Sequence, residues 1–237
     1  MTTDDLKTLH ALIRSTGPEN RRALFEELRK EFPIHHLEQE WHTTAEVILE
    51  AIARSGDLTK RGVRGVIAEA SFKENIVNPL LQQGWQDKPI TGNQAYDFLL
   101  DDSNGDIRIQ VKMQRRKQQR PMLAIEANKR MFPLASNMWV VETQRTRGGK
   151  DNQGEATRPY RYGEFDLIAV SLYPSTNDWS KFRYTVAKWF IPDPESGDRV
   201  FKYQPVPKTP NEDWTDDLVE SISWFRSGQK KRISKKS

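Results

Sequence analysis

Asp97, Gln110 and Lys112 offer a carboxylate, an amide and an ammonium group on two short segments that a hairpin brings together. In Ile107-Arg108-Ile109-Gln110-Val111-Lys112 apolar and polar residues alternate. Successive side chains of a strand point to opposite faces, so Arg108, Gln110 and Lys112 share one face and Ile107, Ile109 and Val111 the other. Asp97 precedes the apolar run Phe98-Leu99-Leu100, and turn-forming residues fill Asp102 to Asp106 between the two segments. Pairing across that turn sets Asp97 beside Gln110 and Lys112. A hard divalent cation takes oxygen ligands, and Mg2+ keeps several waters beside one or two protein oxygens. Asp97 supplies charge and Gln110 a neutral oxygen. A cation there lowers the pKa of a bound water and offsets the charge that builds on a phosphate under attack. Lys112 orients that water or neutralises the developing charge. Phosphodiester hydrolysis asks for this set of groups.

The elements that must hold these residues follow from periodicity. The first third reads as helices: one led by Thr3 as a cap, with Leu6, Leu9, Leu12 and Ile13 on one face, and one begun by Pro18 with Leu24, Phe25 and Leu28. Thr43-Thr44-Ala45-Glu46 is a capping-box pattern before Val47, Ile48, Ala51 and Ile52. A longer helix carries Val63, Val66, Ile67, Ala70, Val77, Leu80 and Leu81 and ends at Gly84. Strands are expected at 96–101, 107–113, 138–143, 165–172 and 182–191, with a helix at 124–130 and a last amphipathic helix bearing Leu218, Val219, Ile222 and Phe225. This order predicts an α/β (α+β) fold with a central mixed sheet flanked by helices and an N-terminal helical extension. The expected divisions are 1–58 for the helical region, 59–228 for the core with its binding loops, and 229–237 for a basic tail.

The chain has 237 residues and a net charge of +4, with no cysteine and therefore no disulfide or thiolate metal site. It shows no signal-peptide pattern and no membrane-spanning apolar run, so a cytoplasmic protein without a membrane partner is expected. Basic residues cluster from Arg108 to Arg120, a stretch without an acidic residue, and again from Lys230 to Lys236. The tail reads as solvated surface. The first cluster grows out of the strand bearing Gln110 and Lys112, and Gln114, Arg115, Arg116, Lys117, Gln118 and Arg120 combine phosphate-binding charge with base-reading side chains. The long loop holding Arg145, Arg147, Lys150, Arg158 and Arg161 is a second candidate DNA contact.

Asp97 with Gln110-Val111-Lys112 resembles the motif of the PD-(D/E)XK nucleases. Gly65-Val66-Ile67-Ala68-Glu69 and Leu80 to Trp85 are similar to the helix that precedes the core in that family, and Tyr160 to Val170 is similar to a core strand of its restriction enzymes. The resemblance implies a restriction-endonuclease-like core and a catalytic set of Asp97, Gln110, Lys112 and Glu69. It implies Mg2+ held by Asp97, Gln110, Val111 and Glu69. It further implies double-stranded DNA as substrate, a homodimer to cut both strands, and a cognate DNA methyltransferase acting on the same site. Tyr96 stands where the motif name has proline. Gln110 replaces the second acid and removes a negative charge, which lowers the expected metal affinity. A modification-dependent or repair nuclease, and a catalytically inactive DNA-binding protein, are the rival readings. His35, His36 and His42 lack the context of a metal site and read as surface residues. Asp101 to Asp106 is too short for a calcium loop and reads as a turn. The N-terminal helices suit either a dimer interface or a DNA-contacting arm.

Overall fold

The structure, a computed structural model, describes residues 3–32, 35–145, 148–149 and 157–236. The chain forms two compact units, Met1–Lys60 and Arg61–Ser237.

The first unit holds helices α1 (Thr3–Ser15), α2 (Pro18–Glu31), α3 (Leu37–Glu40) and α4 (Ala45–Arg54). Thr3 is the first residue of α1 rather than a residue ahead of it. Pro18 fills the first turn of α2, where its missing N–H costs nothing. Thr44, not Thr43, caps α4, accepting from the Val47 N–H at 3.4 Å. A polar hub organises this unit. Glu38 is buried and receives Arg29 through two hydrogen bonds of 3.1 and 2.6 Å and the Ala45 N–H at 2.7 Å. The rings of His35 and His36 lie 4.1 Å apart, and both residues are exposed, as is His42.

Helix α5 (Asp57–Phe72) continues through a π-helical turn, Lys73–Val77, into α6 (Asn78–Leu81). The long helix expected over this stretch is therefore interrupted. Pro79 has no N–H to donate and its ring crowds the preceding turn, which favours a register change just before it. The buried face also differs from the expected one: Ala68 and Phe72 are buried, whereas Val66 and Ile67 are exposed. Phe72 packs on Phe98 and Phe182 with ring centroids 5.0 and 5.2 Å away.

The remaining elements are β1 (Gln86–Asp87), β2 (Phe98–Asp101), β3 (Asp106–Met113), β4 (Arg116–Lys117), β5 (Arg120–Pro121), α7 (Ala124–Ala127), β6 (Trp139–Glu142), β7 (Leu167–Ser171), α8 (Tyr173–Thr176), β8 (Phe182–Val186), β9 (Pro192–Asp193), β10 (Ser196–Val200), β11 (Tyr203–Val206) and α9 (Leu218–Arg226). A five-stranded sheet runs β1-β2-β3-β7-β8. It is mixed: β3 and β7 are parallel, and the other neighbours are antiparallel. Every residue of β7 is buried, the continuous apolar texture of a strand covered on both faces. Helix α9 packs on β8 and β7 through Leu218 and Ile222. The expected α/β class with a helix-flanked mixed sheet is thus observed.

Several boundaries move. The 124–130 helix stops at Ala127. The 182–191 strand ends at Val186, because a 3-10 turn over Ala187–Trp189 redirects the chain. Strand β11, which pairs with β6, was not expected at all. The basic tail is not free surface. The Ile233 N–H donates to the Trp189 carbonyl at 2.8 Å, Ile233 is buried, and Arg232 donates to the Phe190 carbonyl at 2.9 Å.

Candidate active site

The β2–β3 register sets Phe98 opposite Ile109, so Asp97 comes to lie beside Gln110. The Asp97 N–H donates to the Ile109 carbonyl at 2.9 Å, which extends the ladder by one residue. Asp97 Oδ2 accepts from the Val111 N–H at 2.8 Å and from Gln110 Nε2. Gln110 Nε2 also donates to the Val111 carbonyl at 3.0 Å. Gln110 is buried, so it is not the outward-facing residue that simple alternation suggests. Its NH2 group bridges two oxygens, a carboxylate and a backbone carbonyl, that both suit a hard cation.

Helix α5 brings Glu69 to the same place. Burial and the nearby Asp97 carboxylate push the Glu69 carboxyl up to about 7, with Lys112 opposing the shift. Burial likewise raises Asp97, while Lys112, the Val111 N–H and Gln110 pull it back. Two carboxylates, an amide and an ammonium group thus interact around β3. Among the described residues, no group of three or more His, Cys, Asp or Glu side chains forms a metal cluster. Any metal held here would use Asp97 and Glu69 with the Val111 carbonyl and the Gln110 amide.

Tyr160 belongs to this site, although residue type and spacing assign it no role. Lys112 Nζ lies 5.6 Å from the centroid of its ring. Burial raises the Tyr160 hydroxyl, and the charge and hydrogen bonding of Lys112 oppose that rise. The Arg145 guanidinium lies 5.8 Å from the same ring. Tyr160 sits within the stretch similar to a nuclease core strand, but an aromatic residue there reads as core packing. Its contact with Phe165, at 5.1 Å between ring centroids, is indeed of that kind.

Asp166, in that same stretch, is structural. Its carboxylate accepts from the Arg108 backbone N–H at 2.9 Å and from the Arg108 guanidinium at 3.0 and 2.7 Å. These bonds fix the parallel register of β7 against β3 and remove Arg108 from the basic patch.

The basic run is less free than its composition implies. Strands β4 and β5 form a tight hairpin with Gln118 at a positive φ of 57°. Lys117 and Arg120 both pair with Glu126, at 3.2 and 2.5 Å. Arg120, then the Leu123 N–H, hold the Glu126 carboxyl well below the usual range. Arg116 donates to the Gln119 carbonyl at 3.3 Å, and Arg115 pairs with Glu142 at 2.6 Å. Gln114 is fully buried, with both amide atoms lacking a hydrogen-bond partner, so this one of the expected DNA contacts lies inside the protein.

In the second basic loop Arg145 pairs with Glu164 at 2.8 Å, Arg158 lies 3.9 Å from Glu142, and Arg161 lies 3.8 Å from Asp198. Arg147 and Lys150 lie outside the described residues. The Asp101–Asp106 turn is closed by protein groups: Asp101 accepts from the Ser103 N–H at 2.8 Å, and Arg226 of α9 grips Asp102 with two bonds of 2.6 Å.

No protein-family model and no curated protein matches the chain. Among solved structures, a bacterial homing endonuclease, I-Ssp6803I, is similar at 18% identity and a TM-score of 0.39, over 70% of this chain and 94% of that one. A likeness that distant carries no conclusion about activity. No described helix is long and apolar enough to cross a membrane.

Proposed function

We propose that the chain is a Mg2+-dependent endonuclease that hydrolyses phosphodiester bonds in double-stranded DNA, of the site-specific restriction type. The supporting observation is the meeting of Asp97, Glu69, Gln110, the Val111 carbonyl and Lys112 around one strand. The donor set fits a hard divalent cation through the Asp97 and Glu69 carboxylates and the Val111 carbonyl, with the Gln110 amide turned to present its oxygen, and the mutual repulsion of two partly buried carboxylates is relieved by a bound cation. When bound, the cation supplies Lewis acidity toward a phosphate oxygen and an acidified water. The protein groups do the rest. Asp97 is held in place by the Val111 N–H. Lys112 neutralises charge developing on the phosphate. Glu69, the second carboxylate, would hold the cation beside Asp97 in its ionised form. A homodimer would present one site to each strand, and a methyltransferase of the same specificity would protect the cytoplasmic DNA of the host.

One observation favours a second reading. The Gln110 NH2 group already bridges Asp97 and Val111, which suits a DNA-binding protein that no longer cuts. Digestion of unmethylated phage DNA with Mg2+, followed by mapping of the ends, separates the two. Discrete ends that vanish with a chelator support the nuclease. Intact DNA under conditions where the protein binds it supports the second reading. Cleavage of methylated DNA alone would instead mark a modification-dependent enzyme.

A further inference from the structure

Glu142, at the end of β6, is a point where four elements converge. Arg115 follows β3 and reaches β6 through its N–H, which donates to the Val140 carbonyl at 2.8 Å. Lys202 precedes β11, where its carbonyl accepts from the Thr143 N–H at 2.8 Å. Arg158 is on the return leg of the basic loop, where its carbonyl accepts from the Arg145 N–H at 2.8 Å. Backbone hydrogen bonds therefore fix the Cα positions of all three cations, whatever Glu142 does.

The distances divide the three. Arg115 Nη1 lies 2.6 Å from Glu142 Oε2, and Gln144 Nε2 donates to Oε1. Each carboxylate oxygen thus has one close partner. Lys202 and Arg158 stand farther off, at 3.7 and 3.9 Å, and their side chains are about half exposed, 47% and 51%. Two exposed cations are drawn toward this carboxylate at distances where an exposed pair contributes little. A phosphate can take them at little cost.

We propose that Glu142 is an internal counter-ion to Arg115, Arg158 and Lys202, which together form a seat for the phosphodiester backbone of DNA. On binding, Arg158 and Lys202 turn from the carboxylate to backbone phosphates. The seat adjoins the candidate active site: Arg115 is three residues beyond Lys112, and Arg145, bonded to Arg158 through the backbone, shares the Tyr160 ring with Lys112. The carboxylate has a second consequence. It repels any phosphate that enters, so only a duplex offering further contacts occupies the seat firmly. This inference rests on the nuclease reading for the identity of the polyanion.

The test is equilibrium binding of a random-sequence duplex to the full chain, with a chelator present, at several salt concentrations. Glu142→Gln keeps the side chain's shape and one of its two acceptor oxygens and removes the charge, so it should bind about threefold to tenfold more tightly at low salt. Lys202→Gln should bind more weakly, with its log–log salt slope smaller in magnitude by about one. Weaker or unchanged binding by Glu142→Gln, with an unaltered melting curve, overturns the counter-ion role. An unchanged salt slope for Lys202→Gln overturns the seat. Both results leave the nuclease reading standing. Absence of DNA binding by the unmodified chain removes that reading and this one together.

Discussion

The Val111 backbone N–H donates to Asp97 Oδ2 at 2.8 Å, which ties the one acidic residue of the motif to the strand that carries Gln110 and Lys112. That bond makes the site a property of the hairpin register rather than of side-chain chance. A slip of one residue would turn Gln110 and Lys112 to the opposite face.

Gln110→Glu tests the cost of the amide. In the protein without metal, a carboxylate at this position would face Asp97 without the NH2 bridge, so the melting temperature should fall. With Mg2+ present the added charge should tighten metal binding, by about tenfold. Calorimetric titration of both forms measures it. Equal affinity would mean that residue 110 does not reach the metal.

The pH dependence follows from Glu69. Its carboxyl is raised from an ordinary 4.5 to about 7 by burial, then by Asp97. An acid raised on folding favours the folded state while protonated, and that contribution disappears as pH climbs from about 4.5 through about 7. Metal-free protein should therefore lose stability across this window, on the order of 1 kcal/mol once solvent screening is allowed for. Glu69→Gln should remove the loss. Metal affinity should run the opposite way, rising as Glu69 ionises. Melting curves with and without Mg2+ across the window check both signs; parallel curves for the two forms would contradict them.

Tyr160→Phe keeps the ring under Lys112 and removes the hydroxyl. The turnover rate should fall about tenfold, the value of one hydrogen bond to a charged group, while KM stays unchanged. A structural role would instead lower stability and leave turnover alone.

Asp166→Asn weakens the bonds that lock β7 to β3. Unfolding by denaturant should show a loss of about 2 kcal/mol. An unchanged midpoint would mean that the β3–β7 register is secured elsewhere.

Much of this was legible in the sequence, for identifiable reasons. Strict alternation in Ile107–Lys112 and the turn residues of Asp102–Asp106 defined β2, β3 and the meeting of Asp97 with Gln110. Alternation could not show that Gln110 and Gln114 would be buried: β3 is an inner strand of the sheet, and Gln114, just beyond it, bridges to Val141 of β6. Charge composition marked the Arg115–Arg120 run but not the acids that pair with it, Glu126 just downstream and Glu142 on β6. Tyr160 and Lys202 were missed because their partners are far away in the chain. The docking of Ile233 was hidden by its basic neighbours, a local texture overruled by a tertiary contact at Trp189.

The most direct test of the central claim is Lys112→Ala, with Asp97→Asn beside it, in Mg2+-dependent plasmid cleavage and duplex binding. The nuclease account predicts that Lys112→Ala loses about 10²–10³-fold in single-turnover rate. It predicts that Asp97→Asn shows no metal-dependent cleavage, and that both variants still bind duplex DNA in Ca2+. Cleavage by Lys112→Ala at the unmodified rate would contradict the account.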